Sequence, residues 1–137
     1  LICEDIWDSP AQGFSWESKP DITLCLNASP HEHDKHAMRL EEAKRYVKQH
    51  KTPLCYCNAV GGQDEMVFDG HSFSLDMHAQ IASQAKQFQE ECHITHWEKT
   101  AEGLVPTQCT QHQSLEDLEE LRQCLCLGIK DYVNKNK

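Results

Sequence analysis

Two short apolar runs flank one amphipathic stretch in the first half of the chain, and this pattern predicts a unit of strand, helix and strand. Residues 22–27 and 54–60 are apolar runs that end in turn-forming residues, which is typical of strands buried on both faces. Residues 35–50 carry apolar side chains at three- and four-residue spacing, which predicts a helix with Asp34 as its N-cap. Because a helix separates the two strands, we expect them to run parallel, with a right-handed crossover.

The second half of the chain has weaker patterns. Residues 65–68 and 72–75 have the composition of short strands, and Asp69-Gly70 between them favours a tight hairpin turn. Residues 92–97 alternate between polar and apolar positions, which predicts another strand, whereas residues 80–88 fit either a short helix or a strand. The succession of strands and helices predicts an α/β protein with a mixed sheet.

The last part of the chain has a clear helical pattern. Leucines and other apolar residues recur at helical spacing after Ser114, and Ser114 with Asp117 matches the capping-box pattern of a helix start. We expect a long amphipathic helix that ends near Val133. The asparagine- and lysine-rich end that follows resembles a linker.

The start of the chain carries the first candidate for chemistry. Two apolar residues lead directly into Cys3-Glu4-Asp5, which indicates that a buried strand ends at the cysteine and a polar loop begins. A thiol at a strand end is held rigidly and can be reached by a substrate, as a nucleophilic cysteine must be. The alternative is a buried core cysteine beside a solvated acid pair. The loop predicted next, over residues 8–20, has two aromatic anchors, Phe14 and Trp16.

Composition narrows the classes of function. A chain of 137 residues can form one domain with a core, and 39% apolar with 26% charged residues suits a soluble globular protein. The formal net charge of −9 argues against a surface for nucleic acid or anionic membranes, and no apolar stretch is long enough to span a bilayer. Because the chain begins at Leu1, inside a predicted strand, we expect it to be a piece of a longer protein.

Eight cysteines raise the questions of disulfides and of metal binding. Several lie in apolar strand-like or helical runs, and nothing indicates secretion, so we expect reduced thiols and a cytoplasmic protein. Cys55-x-Cys57 directs its thiols to opposite faces of a strand, and neither it nor Cys124-x-Cys126 has the spacing of a zinc site. We therefore predict no metal site. The histidine-rich segment 31–36 could suggest metal ligands, but we expect it to be an exposed loop. We expect His93 and His96 to lie on the surface of a strand.

Four groups of residues together form a specific pattern. They are Cys3-Glu4-Asp5-Ile6-Trp7, Asn27-Ala28-Ser29-Pro30 with Lys35 and Arg39, Asn58-Ala59-Val60-Gly61-Gly62-Gln63-Asp64-Glu65, and Val67-Phe68-Asp69-Gly70 with Ser72. In order and spacing they resemble the amidase domain of the glutamine-dependent NAD synthetases, which belongs to the nitrilase superfamily. The resemblance covers nearly the whole chain, and its last part resembles the helix that leads into the family's synthetase domain.

The resemblance implies half of a four-layer αββα sandwich. Residues 1–113 would be the carboxyl-terminal half of the carbon–nitrogen hydrolase (glutamine amidase) domain. Residues 114–137 would be the long helix and the linker towards a synthetase domain that this chain lacks. The family has a Glu-Lys-Cys triad, of which only the cysteine has a counterpart here, so the resemblance implies that the isolated chain is inactive.

The implied function is hydrolysis of glutamine to glutamate and ammonia, which then amidates deamido-NAD+. Cys3 matches the nucleophile that forms a glutamyl thioester, and the backbone N–H of Glu4 matches a donor to the oxyanion. The Glu4 carboxylate would receive the α-ammonium of glutamine, and Ser29 with Lys35 would bind its α-carboxylate. By residue type alone, Ser29 would be a turn residue and Lys35 a solvated lysine.

The resemblance also defines the expected cofactors and partners. The amidase step needs no cofactor, and ATP and Mg²⁺ would belong to the absent synthetase domain. The partners would be glutamine, the missing amino-terminal half and the synthetase domain, in a parent enzyme that is a homo-oligomer. Two alternatives remain: a non-catalytic α/β fragment or interaction module that packs against other chains, and another nitrilase-type amidohydrolase.

Overall fold

The computed structural model describes residues 1–7 and 19–137. The loop predicted over residues 8–20 therefore lies almost wholly outside the described residues, and so do its expected anchors, Phe14 and Trp16. The described part combines short strands with two α-helices and one 3₁₀ helix. In chain order these are the 3₁₀ helix Cys3–Ile6, β1 Thr23–Asn27, α1 Lys35–His50, β2 Leu54–Asn58, β3 Val60–Gln63, β4 Met66–Asp69, β5 Phe73–Leu75, β6 Ile81–Gln84, β7 Trp97–Thr100, β8 Gly103–Pro106, β9 Thr110–Gln111 and α2 Asp117–Lys135.

A five-stranded mixed sheet in the order β1-β2-β5-β6-β9 forms the centre of the structure. β1 and β2 pair in parallel, from Thr23 opposite Leu54 to Asn27 opposite Asn58, with α1 as their crossover. The predicted βαβ unit is therefore confirmed, as is the mixed α/β fold with a long carboxyl-terminal helix. β2, β5 and β6 are antiparallel neighbours, and β9 returns parallel to β6. Two further ribbons, β3-β4 and β7-β8, lie outside this sheet.

The core lies between α1 and one face of the sheet. Cys25, Val47, Leu54 and Leu75 are fully buried there, and burying a valine or leucine side chain contributes about 1.5–3 kcal/mol to stability. The helix boundaries agree with the sequence prediction, because the apolar spacing of α1 is regular. Asp34 does occupy the N-cap position, but it has a left-handed backbone and its side chain makes no capping hydrogen bond.

The opposite face of the sheet is only partly covered. Leu24 and Leu26 on β1 are 59% and 58% exposed, and Cys57 on β2 is exposed as well. The prediction that both strands are buried on both faces is therefore wrong. Side chains alternate across a strand, and in the described residues α1 covers one face without a second layer over the outer strands.

The hairpin predicted at Asp69-Gly70 is also wrong. The observed hairpin joins β3 to β4, pairs Gln63 with Met66, and turns at Asp64 and Glu65, with Asp64 in the left-handed region at φ 53°. β4, which ends at Asp69, and β5, which follows Gly70, belong to different sheets. The Asp69 carboxylate is instead buried in an ion pair with Arg39, a partner 30 residues away that turn statistics do not take into account.

The ends of two later elements differ from prediction as well. Residues 92–96 form no strand, and β7 begins only at Trp97. The helix start predicted at Ser114 is displaced, because α2 begins at Asp117 with Glu116 as N-cap and no side-chain cap. The Leu115 N–H instead donates to Gln87 Oε1 at 2.7 Å.

α2 is amphipathic, but its leucine-rich face is not the one that packs. Leu118 is 84% exposed, and the other large apolar side chains of that face are more than half exposed or close to it. The helix packs on β3 and β4 through its opposite face, where Gly128 lies against Gly62 and the Gly62 N–H donates to Asp131 Oδ2 at 2.8 Å. Neither described α-helix has a stretch of sufficient length and apolarity to cross a bilayer.

Candidate active site

Cys3 lies at the edge of the sheet where three parallel segments end. Ile2 forms a parallel bridge with Leu26, and the Leu26 N–H donates to the Leu1 carbonyl at 3.0 Å. The chain start thus extends the sheet beyond β1, and Cys3 follows at the same edge as the carboxyl ends of β1 and β2. Such edges are where open α/β sheets bind their ligands.

The backbone turns sharply at the cysteine. Cys3 has φ 47°, in the left-handed region that residues with a Cβ rarely occupy, and it begins the 3₁₀ helix directly after the strand-like start. A strained residue at a strand-to-helix turn exposes its side chain, as in the nucleophile elbows of other hydrolases. The Cys3 side chain is partly buried and makes no disulfide.

Local hydrogen bonds hold this turn. The Asp5 carboxylate accepts the Ile2 N–H at 2.8 Å, and the Asp5 N–H donates to the Ile2 carbonyl at 3.1 Å. Ile6 is buried in the core and anchors the 3₁₀ helix there. Glu4 is exposed, and as the second residue of the helix its N–H has no intrahelical acceptor. The turn therefore presents a thiol, a backbone donor and an exposed carboxylate together.

Ser29 is buried in the turn after β1 by a network centred on Arg39. The Arg39 guanidinium donates through Nε to Ser29 Oγ at 3.1 Å, and through Nη2 to the carbonyls of Ser29 and Pro30, both at 2.9 Å. Its Nη1 donates to both carboxylate oxygens of Asp69 at 2.9 and 3.0 Å. Asn58 completes the network, because its amide bonds both the backbone of Ser29 and the Asp69 carboxylate.

This network fixes the position of Ser29, and within residues 1–7 and 19–137 its hydroxyl proton has no acceptor. Arg39 and Asp69 are both 1% exposed, so each charge depends on the other for compensation. Ser29 Oγ accepts from Arg39 Nε, and its own O–H can therefore still donate to a ligand. Sequence reasoning placed Arg39 only in a motif and missed its role. The available signal was a charged residue on the same helix face as Ala43, Tyr46 and Val47.

Lys35 lies on the first turn of α1, beside the 3₁₀ helix. Its Nζ is 3.2 Å from Glu32 Oε2 and 5.7 Å from the centroid of the Trp7 ring. Its side chain is mostly buried, whereas that of Glu32 is mostly exposed. Lys35 is therefore neither a fully solvated lysine nor part of the Arg39 network.

Tyr56 on β2 lies near both Cys3 and Ser29. Burial raises its pKa to about 12, with the Arg39 charge and the Ser29 hydroxyl acting in the opposite direction and the Cys3 thiol adding to the rise. The Tyr56 hydroxyl has no hydrogen-bond partner among the described residues. Burial likewise raises the pKa of the Cys25 thiol on β1. Both groups are therefore protonated at neutral pH and add no charge near Cys3.

Two stacked histidines lie next to the Arg39 network. The rings of His36 and His71 are 3.6 Å apart, and His71 Nε2 is 2.6 Å from Gln84 Nε2. Burial, together with the Arg39 charge, lowers the pKa of His36 to about 4. The pKa of His71 is lowered to about 3, mainly by burial and further by the electrostatic effects of His36 and Arg39. Both imidazoles are therefore neutral at pH 7.

A cavity of about 530 Å³ lies on the sheet face away from α1. Cys55, Ser74 and Ser83 are opposite one another across β2, β5 and β6 and form its floor. Residues after β6, including Lys86, Glu91 and His93, form a wall. Cys3 is not among its lining residues, so this cavity is separate from the cysteine turn.

No protein-family model matches the chain. Named relatives match it over nearly its whole length. The glutamine-dependent NAD(+) synthetase of Acinetobacter baylyi is 33% identical over 139 residues, which cover 99% of this chain and 25% of that protein. The corresponding synthetase of Synechocystis sp. is 32% identical over 146 residues, 98% of this chain and 26% of that protein. The chain thus spans about a quarter of the length of the curated relatives it matches.

Solved structures give the same result. A glutamine-dependent NAD+ synthetase from Acinetobacter baumannii, solved in complex with ADP, superposes with a TM-score of 0.79 at 32% identity, over 98% of this chain and 25% of that one. A carbon–nitrogen hydrolase superfamily protein from Xanthomonas campestris superposes with a TM-score of 0.50 at 15% identity, over 66% of this chain and 36% of that one. The second likeness concerns the fold alone.

Proposed function

The chain is homologous over nearly its whole length to a segment of the glutamine-dependent NAD(+) synthetases, and from this homology we propose that it is the nucleophile-bearing half of their glutamine amidase domain. Residues 1–113 form that half, and residues 114–137 form the helix and linker that lead towards the synthetase domain. The observation that carries the proposal is the strained turn at Cys3, at the edge where the parallel segments end.

The reaction begins with attack of the Cys3 thiolate on the side-chain amide carbon of glutamine. The carbonyl oxygen becomes an oxyanion, and the Glu4 N–H is one donor to it; one such donor is typically worth about 10²–10³ in rate. Collapse of the tetrahedral intermediate breaks the C–N bond and, with a proton, releases ammonia. Water then hydrolyses the Cys3 thioester to glutamate and restores the thiol.

Three side chains hold the amino-acid end of glutamine. The Ser29 O–H donates to the α-carboxylate, and Lys35 provides the positive charge that balances it. The free carboxylate of Glu4 receives the α-ammonium. The buried Arg39 network supports this assignment, because it fixes Ser29 while leaving its hydroxyl proton available.

The remaining machinery lies on other parts of the protein. The base and the second oxyanion donor are the family's glutamate and lysine, so this chain alone is inactive. The missing half covers the exposed strand face around Leu24 and Leu26, which completes the αββα sandwich. The ammonia amidates deamido-NAD+ in the synthetase domain, where ATP and Mg²⁺ bind, within a cytoplasmic homo-oligomer.

One set of observations favours a second candidate function. Two apolar surfaces, the strand face around Leu24 and the leucine-rich face of α2, are exposed in the described residues. Exposed apolar patches of this kind mark interaction surfaces. A non-catalytic module would bind other chains through these two surfaces. A further alternative, another nitrilase-type amidohydrolase, would keep Cys3 as the nucleophile and act on a different amide.

A cysteine-directed glutamine analogue separates these functions. We expect a diazo-ketone analogue of glutamine to label Cys3 selectively in the complete protein, as located by peptide mass mapping. Cys3→Ala should abolish NAD+ formation from glutamine and leave formation from free ammonia intact, whereas Cys57→Ala, at an exposed thiol, should leave both intact. Loss of both activities in Cys3→Ala, or labelling spread over the exposed cysteines, would refute the role of Cys3.

A further inference from the structure

Three potential metal ligands meet where two parallel strands end, outside the cysteine turn. β6 and β9 are parallel neighbours, so their carboxyl ends lie at the same edge of the sheet. His112 directly follows β9, and its N–H donates to the Gln84 carbonyl at 3.1 Å. Glu91 and His93 lie on the segment after β6. The pairing of the two strands thereby brings His112 close to Glu91 and His93, which lie 21 and 19 positions earlier in the chain.

The potential donor atoms are close together. One ligand atom from each of Glu91, His93 and His112 lies within 4.8 Å of the others. His93 Nδ1 is 3.9 Å from Glu91 Oε1, and the two imidazole rings are 6.3 Å apart at an angle of 73°. The rings are therefore not stacked on each other, and the acid adjoins the imidazole of His93.

The polar atoms of this cluster are incompletely bonded. His93 Nε2 is buried and has no hydrogen-bond partner among the described residues. Glu91 Oε1 accepts the Lys86 N–H at 2.7 Å, which holds the acid against the segment and leaves its second oxygen available. Buried polar atoms are normally satisfied, so a site with an orphaned imidazole nitrogen and a spare carboxylate oxygen has capacity for a ligand.

We propose that Glu91, His93 and His112 bind one divalent transition-metal cation, with Zn²⁺ as the best-fitting ion. Two imidazoles and one carboxylate form a known zinc donor set, with a fourth position left for water. Mg²⁺ and Ca²⁺ fit less well, because they prefer oxygen ligands throughout. The site is beyond the proposed glutamine chemistry and does not depend on it.

Small side-chain movements suffice to complete the coordination. Zinc ligands at about 2.0–2.1 Å from the metal in tetrahedral geometry are about 3.3 Å from one another. The donor atoms here lie within 4.8 Å, so they need to approach by at most about 1.5 Å. The Glu91 side chain is partly exposed and can rotate, while the backbone of His112 is fixed by its bond to Gln84. No sequence motif indicates this site, because Glu-x-His followed 19 residues later by histidine is not a recognised zinc spacing.

Zinc titration of the complete, chelator-treated protein by calorimetry tests the proposal. His93→Ala and His112→Ala should each abolish one equivalent of tight Zn²⁺ binding or weaken it at least ~100-fold. Removal of a residue that only supports a ligand typically weakens metal binding by about 10–100-fold, so the loss of a ligand should reach or exceed that range. His96→Ala is the matched control, because His96 is exposed and three residues away but outside the cluster. It should bind Zn²⁺ like the unmodified protein.

Two further measurements keep the test independent of folding. Glu91→Gln keeps the shape of the side chain and an oxygen for the Lys86 N–H, and it should weaken Zn²⁺ binding without changing the thermal midpoint of the metal-free protein. Co²⁺ should give a visible absorption band that is absent from the His93→Ala variant. Binding should also weaken as the pH is lowered, because protons compete with the metal for the ligand atoms. Equal Zn²⁺ stoichiometry and affinity in the unmodified protein and both histidine variants would overturn the proposal, as would an equal loss in His96→Ala.

Discussion

Replacing Asp69 by asparagine should loosen the turn that holds Ser29 far more than a single lost surface ion pair would. The Asp69 carboxylate and the Arg39 guanidinium are each 1% exposed and bond each other at 2.9 and 3.0 Å. In the Asp69→Asn variant the guanidinium stays buried without a countercharge. Leaving one partner of a buried pair uncompensated costs about 3–5 kcal/mol.

A matched control is the ion pair between Glu42 and Arg45 on the surface of α1. Both side chains are at least a quarter exposed, and they lie one helical turn apart. Exposed pairs of this type contribute about 0.3–0.5 kcal/mol. Glu42→Gln removes one carboxylate charge, as Asp69→Asn does, so the difference between the two variants measures burial rather than charge.

Amide hydrogen exchange in the complete protein is the suitable assay, because it reports local opening. The Ser29 N–H donates to Asn58 Oδ1 at 2.9 Å, and the Ala59 N–H donates to the Asn27 carbonyl at 3.0 Å. A local loss of about 3 kcal/mol should speed the exchange of these amides at least ~100-fold, since about 1.4 kcal/mol corresponds to a factor of ten. Glu42→Gln should change it less than ~3-fold. Less than tenfold acceleration in Asp69→Asn, or equal acceleration in both variants, would refute the reasoning.

Three further predictions concern other parts of the structure. Burial lowers the pKa of His36 to about 4 and that of His71 to about 3, so the unfolded chain takes up protons first as the pH falls. The contribution of these two histidines to stability should be constant above about pH 6.5 and fall below it by about 1.4 kcal/mol per pH unit for each histidine until the folded pKa is reached. His36→Phe should therefore reduce the slope of the urea midpoint between pH 6.5 and 4 by about half and leave the share of His71. An unchanged pH profile would contradict this. In Gly62→Ala the new Cβ would lie 3.0 Å from the Gly128 backbone, so the packing of α2 should weaken by about 1–3 kcal/mol. The thermal midpoint should fall accordingly. An unaltered midpoint would contradict this, because it would mean that the helix adjusts freely. Cys25, buried and with a raised pKa, should remain unmodified by iodoacetamide at pH 8 until denaturant is added, as mass mapping can establish, and rapid native labelling would disprove its burial.

The local order of the fold was predictable from the sequence. The spacing of apolar residues predicted α1 with its observed ends and the parallel strands on either side of it. The abrupt change from apolar residues to Cys3-Glu4-Asp5 predicted a buried strand that ends at the cysteine. The structure has Cys3 after a single parallel bridge at Ile2, but Ile2 is 70% exposed, so the burial was predicted wrongly. These predictions depend on the backbone geometry of neighbouring residues, which a periodic pattern encodes directly.

Tertiary structure decided which polar groups meet. Asp69-Gly70 has the local signature of a hairpin turn, but the Asp69 carboxylate is bound by Arg39 from α1, and the chain turns elsewhere. The residues that hold Ser29 come from three separate segments, so no spacing along the chain could identify them. The same holds for His112, which meets Glu91 only because β9 pairs with β6.

Tertiary structure also decided which apolar faces are covered. A pattern shows that β1 and α2 each have an apolar face, but it does not show what lies against that face. Leu24 and Leu118 are exposed because α1 covers the other side of the sheet and α2 packs through Gly128. The sequence by itself therefore determined α1, the parallel strands beside it and the place of Cys3 at a sheet edge. Contacts between residues distant in sequence determined on which sides the elements pack and which charges form the buried ion pair beside the cysteine turn. The physical reason is that burial depends on the whole set of packed elements and not on any one of them.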